Sequence, residues 1–83
     1  MTTKNPQVGG THYSDKCIEP IEYISANNLD FCEGNVVKYV TRHKDKGKEG
    51  DIKKAIQYAL FILKYQYQFD EIQLNSFLDS LKA

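Results

Sequence analysis

The sequence has few of the features that assign a small protein to a familiar class. Its two cysteines and two histidines do not show the paired spacing of a structural zinc site. No apolar run approaches the ~20 residues that a membrane-spanning helix needs, and the N-terminal MTTKNPQVGG has no apolar signal core. We therefore expect a protein of the cytoplasm, with reduced cysteines and no membrane partner.

Net charge is also absent, because 11 basic residues balance 11 acidic ones. This balance argues against a general nucleic-acid-binding surface. The charge is nevertheless uneven, since residues 38–54 hold seven Lys or Arg and only three Asp or Glu. A local cationic patch is typical of a site for a phosphate group or for an acidic partner surface. The simpler alternative is a solvated, lysine-rich loop that keeps the protein soluble.

The apolar periodicity predicts an all-α fold in one small domain. Residues 1–8 are polar and aperiodic, so we expect them to be disordered and the domain to span residues 9–83. Helices are expected at about 20–26, 30–43, 52–67 and 70–83. A short glycine-containing turn joins the second and third helices, which should therefore lie antiparallel as a hairpin.

Residues with capping chemistry support these helix boundaries. They stand at the expected helix starts and are Pro20, Asp30 with Glu33, Asp51 and Asp70. Gly47 is expected to end the second helix, since glycine is the common residue just past a helix C-terminus.

The third helix is apolar around much of its circumference. One edge consists of Ile52, Ala55, Ile56, Ala59, Ile62 and Leu63, and a second edge of Tyr58, Phe61 and Tyr65. Such a helix is usually buried on two sides, and a domain of this size has a marginal core of its own. We therefore expect a homo-oligomeric helical bundle. The alternative is that the last helix covers the second edge.

The second helix carries a polar stripe that suits an anion. Asn35, Lys38 and Arg42 fall on one side of it, and Lys44 and Lys46 follow in the turn. Arginine offers a planar fork of donors to a phosphate, and lysine offers a point charge. The stripe could instead pair with acidic side chains of the first helix or of a partner chain.

The segment Gly9-Gly10-Thr11-His12-Tyr13 is a second candidate for ligand binding. Its glycines permit a close backbone approach, and its imidazole and aromatic ring could close over a ligand. The alternative is a linker in which Tyr13 merely docks on the core.

Other catalytic patterns receive little support. The glycines of the turn do not form a phosphate-binding G-x-x-x-x-G-K-[ST] loop, and no cysteine or histidine spacing indicates a catalytic nucleophile. Glu19 and Glu22 form an E-x-x-E similar to that of all-α MazG-type nucleotide pyrophosphohydrolases, which hold magnesium with a later E-x-x-D. Here the later pair is Glu49-Gly50-Asp51, whose carboxylates would not share a helix face. We therefore predict no metal ligands in the protein.

Residues 9–66 resemble a family of short bacteriophage proteins of unknown function, which includes a podophage deoxynucleoside monophosphate kinase without a Walker motif. The family pattern is H-Y, I-E-P-I-x-Y-I, F-x-x-G-N-x-x-K-Y-x-x-R, a Lys- and Gly-rich turn, and D-x-x-K-A-x-x-Y. The residues that match it are His12, Tyr13, Ile18 to Ile24, Phe31, Gly34, Asn35, Lys38, Tyr39, Arg42, Asp51, Lys54, Ala55 and Tyr58.

This resemblance implies a phage protein that acts in the cytoplasm of the infected host and binds a nucleotide. The implied ligand-binding residues are Gly10, His12, Tyr13, Asn35, Lys38, Tyr39, Arg42, Lys44 and Lys46. A base could stack on Tyr13 or Tyr39. If the protein is a kinase-like enzyme, magnesium would arrive with the nucleotide and His12 or Asp51 would orient the acceptor.

Two other functions remain open at this point. The protein could bind a nucleotide without catalysis, for instance to sequester a host defence signal. It could also inhibit a host enzyme through its cationic face.

Overall fold

In the computed structural model, residues 16–82 are described, and they form four helices without a strand. These are α1 (Pro20–Ala26), α2 (Phe31–Arg42), α3 (Glu49–Gln66) and α4 (Glu71–Ser80). The all-α prediction is confirmed. The predictions for residues 1–8 and for Gly10, His12 and Tyr13 lie outside the described residues.

The start of α2 is the capping box that the sequence predicts. The backbone N–H of Glu33 donates to Asp30 Oδ1 at 2.9 Å, and the N–H of Asp30 donates to Glu33 Oε1 at 3.0 Å. Gln66, at the end of α3, donates its side-chain amide to the carboxylates of both residues. The start of α2 therefore lies beside the end of α3, and the antiparallel hairpin is confirmed.

Two boundary predictions around the turn are wrong. Helix α3 begins at Glu49, so Asp51 lies within its first turn and does not cap it. Helix α2 ends at Arg42, so Gly47 does not end it. Lys48, with φ 54°, reverses the chain immediately before α3. The physical reason for both errors is that the Asp51 carboxylate accepts hydrogen bonds from Arg42 and from the backbone N–H of Gly47 in the turn.

Helix α1 packs against α2 at a glycine. A Cβ at Gly34 would lie 3.1 Å from Cγ2 of Ile24, so the two helices meet closely and a larger residue would need Ile24 to shift by a few tenths of an ångström. Asn28, with φ 54°, makes the turn between them. Beside this contact an open groove of about 380 Å³ remains, lined by Ile18, Pro20, Tyr23, Val36, Val37, Val40 and Thr41.

Helices α2 and α3 form the main contact through a small residue and a row of aromatic rings. Ala55 and Pro20 are the buried apolar side chains among residues 16–82. The Tyr58 ring stacks on Tyr39 with centroids 6.0 Å apart and meets Phe31 edge-on at 5.7 Å. The second apolar edge of α3 therefore faces α2 in part.

Helix α4 covers only a further strip of α3. A gap of about 190 Å³ between them is lined by Gln57, Leu60, Phe61, Lys64, Glu71, Leu74, Asn75 and Leu78. Ile56 and Tyr65 of α3 and Ile72 and Phe77 of α4 stay exposed. The four helices leave considerable apolar surface uncovered, and the homo-oligomer stays a prediction.

Candidate functional site

Asp51 is the most deeply buried charged residue among those described, with 1 % of its surface exposed. Arg42 Nε donates to its Oδ2 at 3.0 Å, and Arg42 Nη2 donates to its Oδ1 at 3.3 Å. The backbone N–H of Gly47 also donates to Oδ2, at 3.0 Å. A two-point arginine–carboxylate contact is directional as well as strong. It ties the end of α2 and the turn to the start of α3.

The Asp51 carboxylate occupies the space that a side chain at position 47 would need. A Cβ at this position would lie 2.1 Å from Asp51 Oδ1, far inside any real contact. This close approach, rather than a helix stop, is what the glycine provides. Sequence reasoning missed it, because the contact depends on the shape of a turn in which Lys48 has a φ of 54°.

The surroundings keep Asp51 ionised. The hydrogen bond from Arg42 holds the pKa of the Asp51 carboxyl below its ordinary value. Burial opposes this, while the Gly47 N–H and the charges of Arg42 and Lys54 lower the pKa further. The carboxylate is therefore a permanent anion at neutral pH.

Three cations approach the ring of Tyr39. Lys38 Nζ lies 4.6 Å from the ring centroid, Arg42 Cζ 4.8 Å and Lys54 Nζ 5.3 Å. These are cation–π distances, and the cations come from both helices of the hairpin. We call Lys38, Arg42 and Lys54 around Tyr39 the cation cluster. Lys54 was not among the predicted site residues, although it lies only three residues after Asp51 in the sequence.

The other predicted residues of α2 and the turn occupy different settings. Asn35 donates its side-chain amide to the carbonyl of Phe31 at 3.0 Å, within its own helix. Lys44 and Lys46 are exposed on the turn. Lys16 forms an ion pair of 2.9 Å with Asp45 of the same turn. The structure therefore groups Lys38, Tyr39 and Arg42 directly, with Asp51 behind Arg42.

The carboxylates considered for magnesium are engaged locally. Glu22 accepts a hydrogen bond from the backbone N–H of Glu19 at 2.9 Å, which is the start of α1. Asp51 is held by Arg42 and Gly47. Across residues 16–82, no three His, Cys, Asp or Glu side chains come together as a metal site would require. Cys17 and Cys32 are free thiols.

In the described part of the chain, no helix has the length and apolar character needed to cross a membrane.

Comparison with known proteins places the chain in a family. No curated protein and no solved structure matches the chain. The model of one family, described as a protein of unknown function (DUF3310), matches residues 4–60 and so includes α1, α2 and much of α3. The chain, with its cation cluster inside the matched segment, therefore belongs to the DUF3310 family.

Proposed function

We propose that the protein binds a phosphate-bearing small molecule, a nucleotide, at the cation cluster. The observation that carries this proposal is the convergence of Lys38, Arg42 and Lys54 on one ring at 4.6–5.3 Å. Cationic side chains around one ring raise the local positive potential, which attracts an anion such as a phosphate. Nucleotide phosphates are bound in proteins by this combination of ammonium and guanidinium groups.

Asp51 makes the three cations of the cluster unequal in their attraction for an anion. Its carboxylate offsets the charge of Arg42, so the attraction for an anion comes mainly from Lys38 and Lys54. The exposed Lys44 and Lys46 of the adjoining turn extend the positive surface. A nucleotide would place its phosphates over the cluster and the turn, and we keep His12 and Tyr13 as the proposed cover for its base.

The resemblance supports a more specific form of the proposal. It favours a phage protein of the host cytoplasm that works in deoxynucleotide metabolism, with a nucleotide kinase-like activity. Such transfer depends on positioning and on neutralising phosphate charge, and Lys38 and Lys54 would supply the neutralising charge. In this form His12 is the remaining candidate for orienting the acceptor, since Asp51 is buried behind Arg42.

A binder without catalysis is the second candidate. The described residues offer one cation cluster, which suits one phosphate-bearing ligand, whereas a kinase needs places for both donor and acceptor. A sequestering protein that holds a host signal nucleotide requires only the single site. An inhibitor that docks through its basic face would use Lys44 and Lys46 instead of the cluster.

We also propose that the protein is a homo-oligomer. The support is the exposure of large apolar side chains on α3 and α4, including Tyr65 and Ile72. A second copy of the chain would cover these side chains.

Titration calorimetry tests the binding proposal with each of the four deoxynucleoside monophosphates and with ATP. We expect binding by the wild type and an affinity at least about tenfold weaker for Lys38→Ala or Lys54→Ala, because a hydrogen bond to a charged group contributes ~1.5–3 kcal/mol. Lys53→Ala is the matched control, since it removes the same charge from an exposed position next to Lys54.

Two results would count against the proposal. One is the absence of binding by the wild type, and the other is an equal loss in the Lys53→Ala control. Incubation with ATP and a deoxynucleoside monophosphate, followed by chromatography of the products, then separates the candidates. A diphosphate product identifies an enzyme, and an unchanged mixture identifies a binder.

A further inference from the structure

A small pocket adjoins the cation cluster on the side of α1. It has a volume of about 140 Å³ and is lined by Glu19, Pro20, Ile21, Ile24 and Lys38. Lys38 also belongs to the cluster, with its Nζ 4.6 Å from the centroid of the Tyr39 ring. The pocket and the cluster therefore share one lysine side chain, so a single ligand that reaches Lys38 can occupy both.

We propose that this pocket holds the base of the bound nucleotide and that Glu19 makes it specific for cytosine. The inference rests on the proposed function, and it names the class of nucleotide that the cation cluster takes. The larger groove between α1 and α2 is a poorer candidate for the base. Its described lining shares Pro20 with the pocket but contains no residue of the cation cluster.

The size and the walls of the pocket suit a single aromatic ring. At ~30 Å³ for each water molecule in the liquid, its volume corresponds to about five waters, well below the ~300–1,000 Å³ of a site that holds a whole drug-sized ligand. Pro20, Ile21 and Ile24 offer apolar contacts, which favour the base over the more polar sugar and phosphate. The pocket therefore suits one part of a nucleotide, and a pyrimidine suits it better than the two fused rings of a purine.

Glu19 supplies a polar contact in this pocket. The residue is only 8 % exposed. Its side chain takes part in the capping box of α1, which uses one of the roughly four acceptor positions of a carboxylate. A carboxylate has no donor, so a buried ligand group opposite it must carry one. Cytosine presents a 4-amino donor, whereas uracil and thymine present an acceptor oxygen at the same position, so the carboxylate favours cytosine.

Two matched ligands test this specificity. The nucleotides dCMP and dUMP have the same sugar and phosphate and differ only at positions 3 and 4 of the ring. Calorimetry should show that the wild type binds dCMP at least about tenfold more tightly, because only cytosine donates a hydrogen bond to the charged group from its 4-position. Glu19→Gln should reduce or reverse this preference, since the amide of glutamine can donate to the uracil oxygen.

The ratio of the two affinities separates recognition of the base from a structural role. Loss of the cap of α1, or removal of one negative charge beside the cluster, would change the affinities for dCMP and dUMP by the same factor. Glu22→Gln is the matched control, because it removes the same charge from the same helix and glutamine also closes a capping box. We expect Glu22→Gln to keep the ratio of the wild type.

Filling the pocket provides an independent test, which also serves if Glu19→Gln does not fold by circular dichroism. Ile21 is 67 % exposed, so Ile21→Phe should fold, and its larger ring should take the space of the base. We expect the affinity for dCMP to fall at least about tenfold. The affinity for inorganic pyrophosphate, which requires only the cations, should stay unchanged.

Different results overturn different claims. The inference fails, and the binding proposal stands, if the wild type binds dUMP or dAMP as tightly as dCMP. It also fails if Glu19→Gln keeps the ratio of the wild type, if Glu22→Gln changes that ratio equally, or if Ile21→Phe binds dCMP normally or loses pyrophosphate to the same extent. A wild type that binds neither pyrophosphate nor any nucleotide would overturn both.

Discussion

Gly47 and Asp51 show how one missing side chain shapes the candidate site. A Cβ added at Gly47 would lie 2.1 Å from Asp51 Oδ1, so the carboxylate occupies the space of that missing atom. Gly50, three residues later, has no atom within 4 Å of a Cβ at its position. Gly47 in the turn and Gly50 in the first turn of α3 therefore differ in what they permit.

This difference gives a matched pair of substitutions. Gly47→Ala should lower the midpoint of thermal unfolding, because the carboxylate must leave Arg42 or the turn must shift. Gly50→Ala should raise it, since alanine in a helix is favoured over glycine by up to ~1 kcal/mol, or about 4–8 °C in a domain of this size. Thermal unfolding followed by circular dichroism measures both. Equal destabilisation by the two variants would show that the carboxylate does not occupy this space.

Chemistry at the residue scale could be predicted from the sequence only in part. The periodicity of α2 was enough to group Lys38 and Arg42, because residues four apart on one helix lie on the same face. Asp51 was expected as a cap because a lone aspartate before an apolar run has that preference. Its actual contact crosses a turn whose shape depends on Lys48 at φ 54°. Lys54 meets Tyr39 only because two helices pack together, and periodicity within one helix does not show this.

At the scale of the elements, the capping box at Asp30 was predicted correctly, whereas Asp70 was predicted only as a cap, without its partner Gln73. The box at Asp30 is closed by Glu33, and the box at Asp70 is closed by Gln73 with bonds of 2.8 and 2.9 Å. Both contacts span three residues, so the sequence alone contains all that they need. The two boxes differ in their tertiary setting, since the Asp30 carboxylate also accepts from Gln66 of α3.

The tertiary setting should decide how much each capping residue contributes to the free energy of unfolding. Asp30→Ala should lower the free energy of unfolding by about 1 kcal/mol, which corresponds to a midpoint lower by about 4–8 °C. Asp70→Ala should change the global midpoint less, because α4 packs lightly on α3 and can unfold locally. Amide hydrogen exchange should show faster opening confined to α4 in that variant. A global midpoint that falls equally in both would show that α4 unfolds together with the hairpin.

At the scale of the whole molecule, the apolar surface exceeds what four helices cover. Ile72 of α4 is 79 % exposed, and Tyr65 of α3 is 65 % exposed. Helix α4 has only 10 residues, and isolated helices below ~12–15 residues are marginal in water. We therefore propose that a second copy of the chain packs on α4 and the end of α3 and adds to the burial that the strip of α3 provides.

Analytical ultracentrifugation tests this assembly. The wild type should sediment as a multiple of the 9.6 kDa chain. Ile72→Gln should raise the dissociation constant by at least about tenfold, because burial of such a side chain contributes ~1.5–3 kcal/mol. Ile21→Gln is the control, since Ile21 is 67 % exposed on α1, outside the proposed contact.

A wild type of 9.6 kDa at micromolar concentrations contradicts the oligomer. Dissociation by Ile21→Gln instead would place the interface at α1, so that the cation cluster on the α2–α3 hairpin would lie nearer the contact between copies.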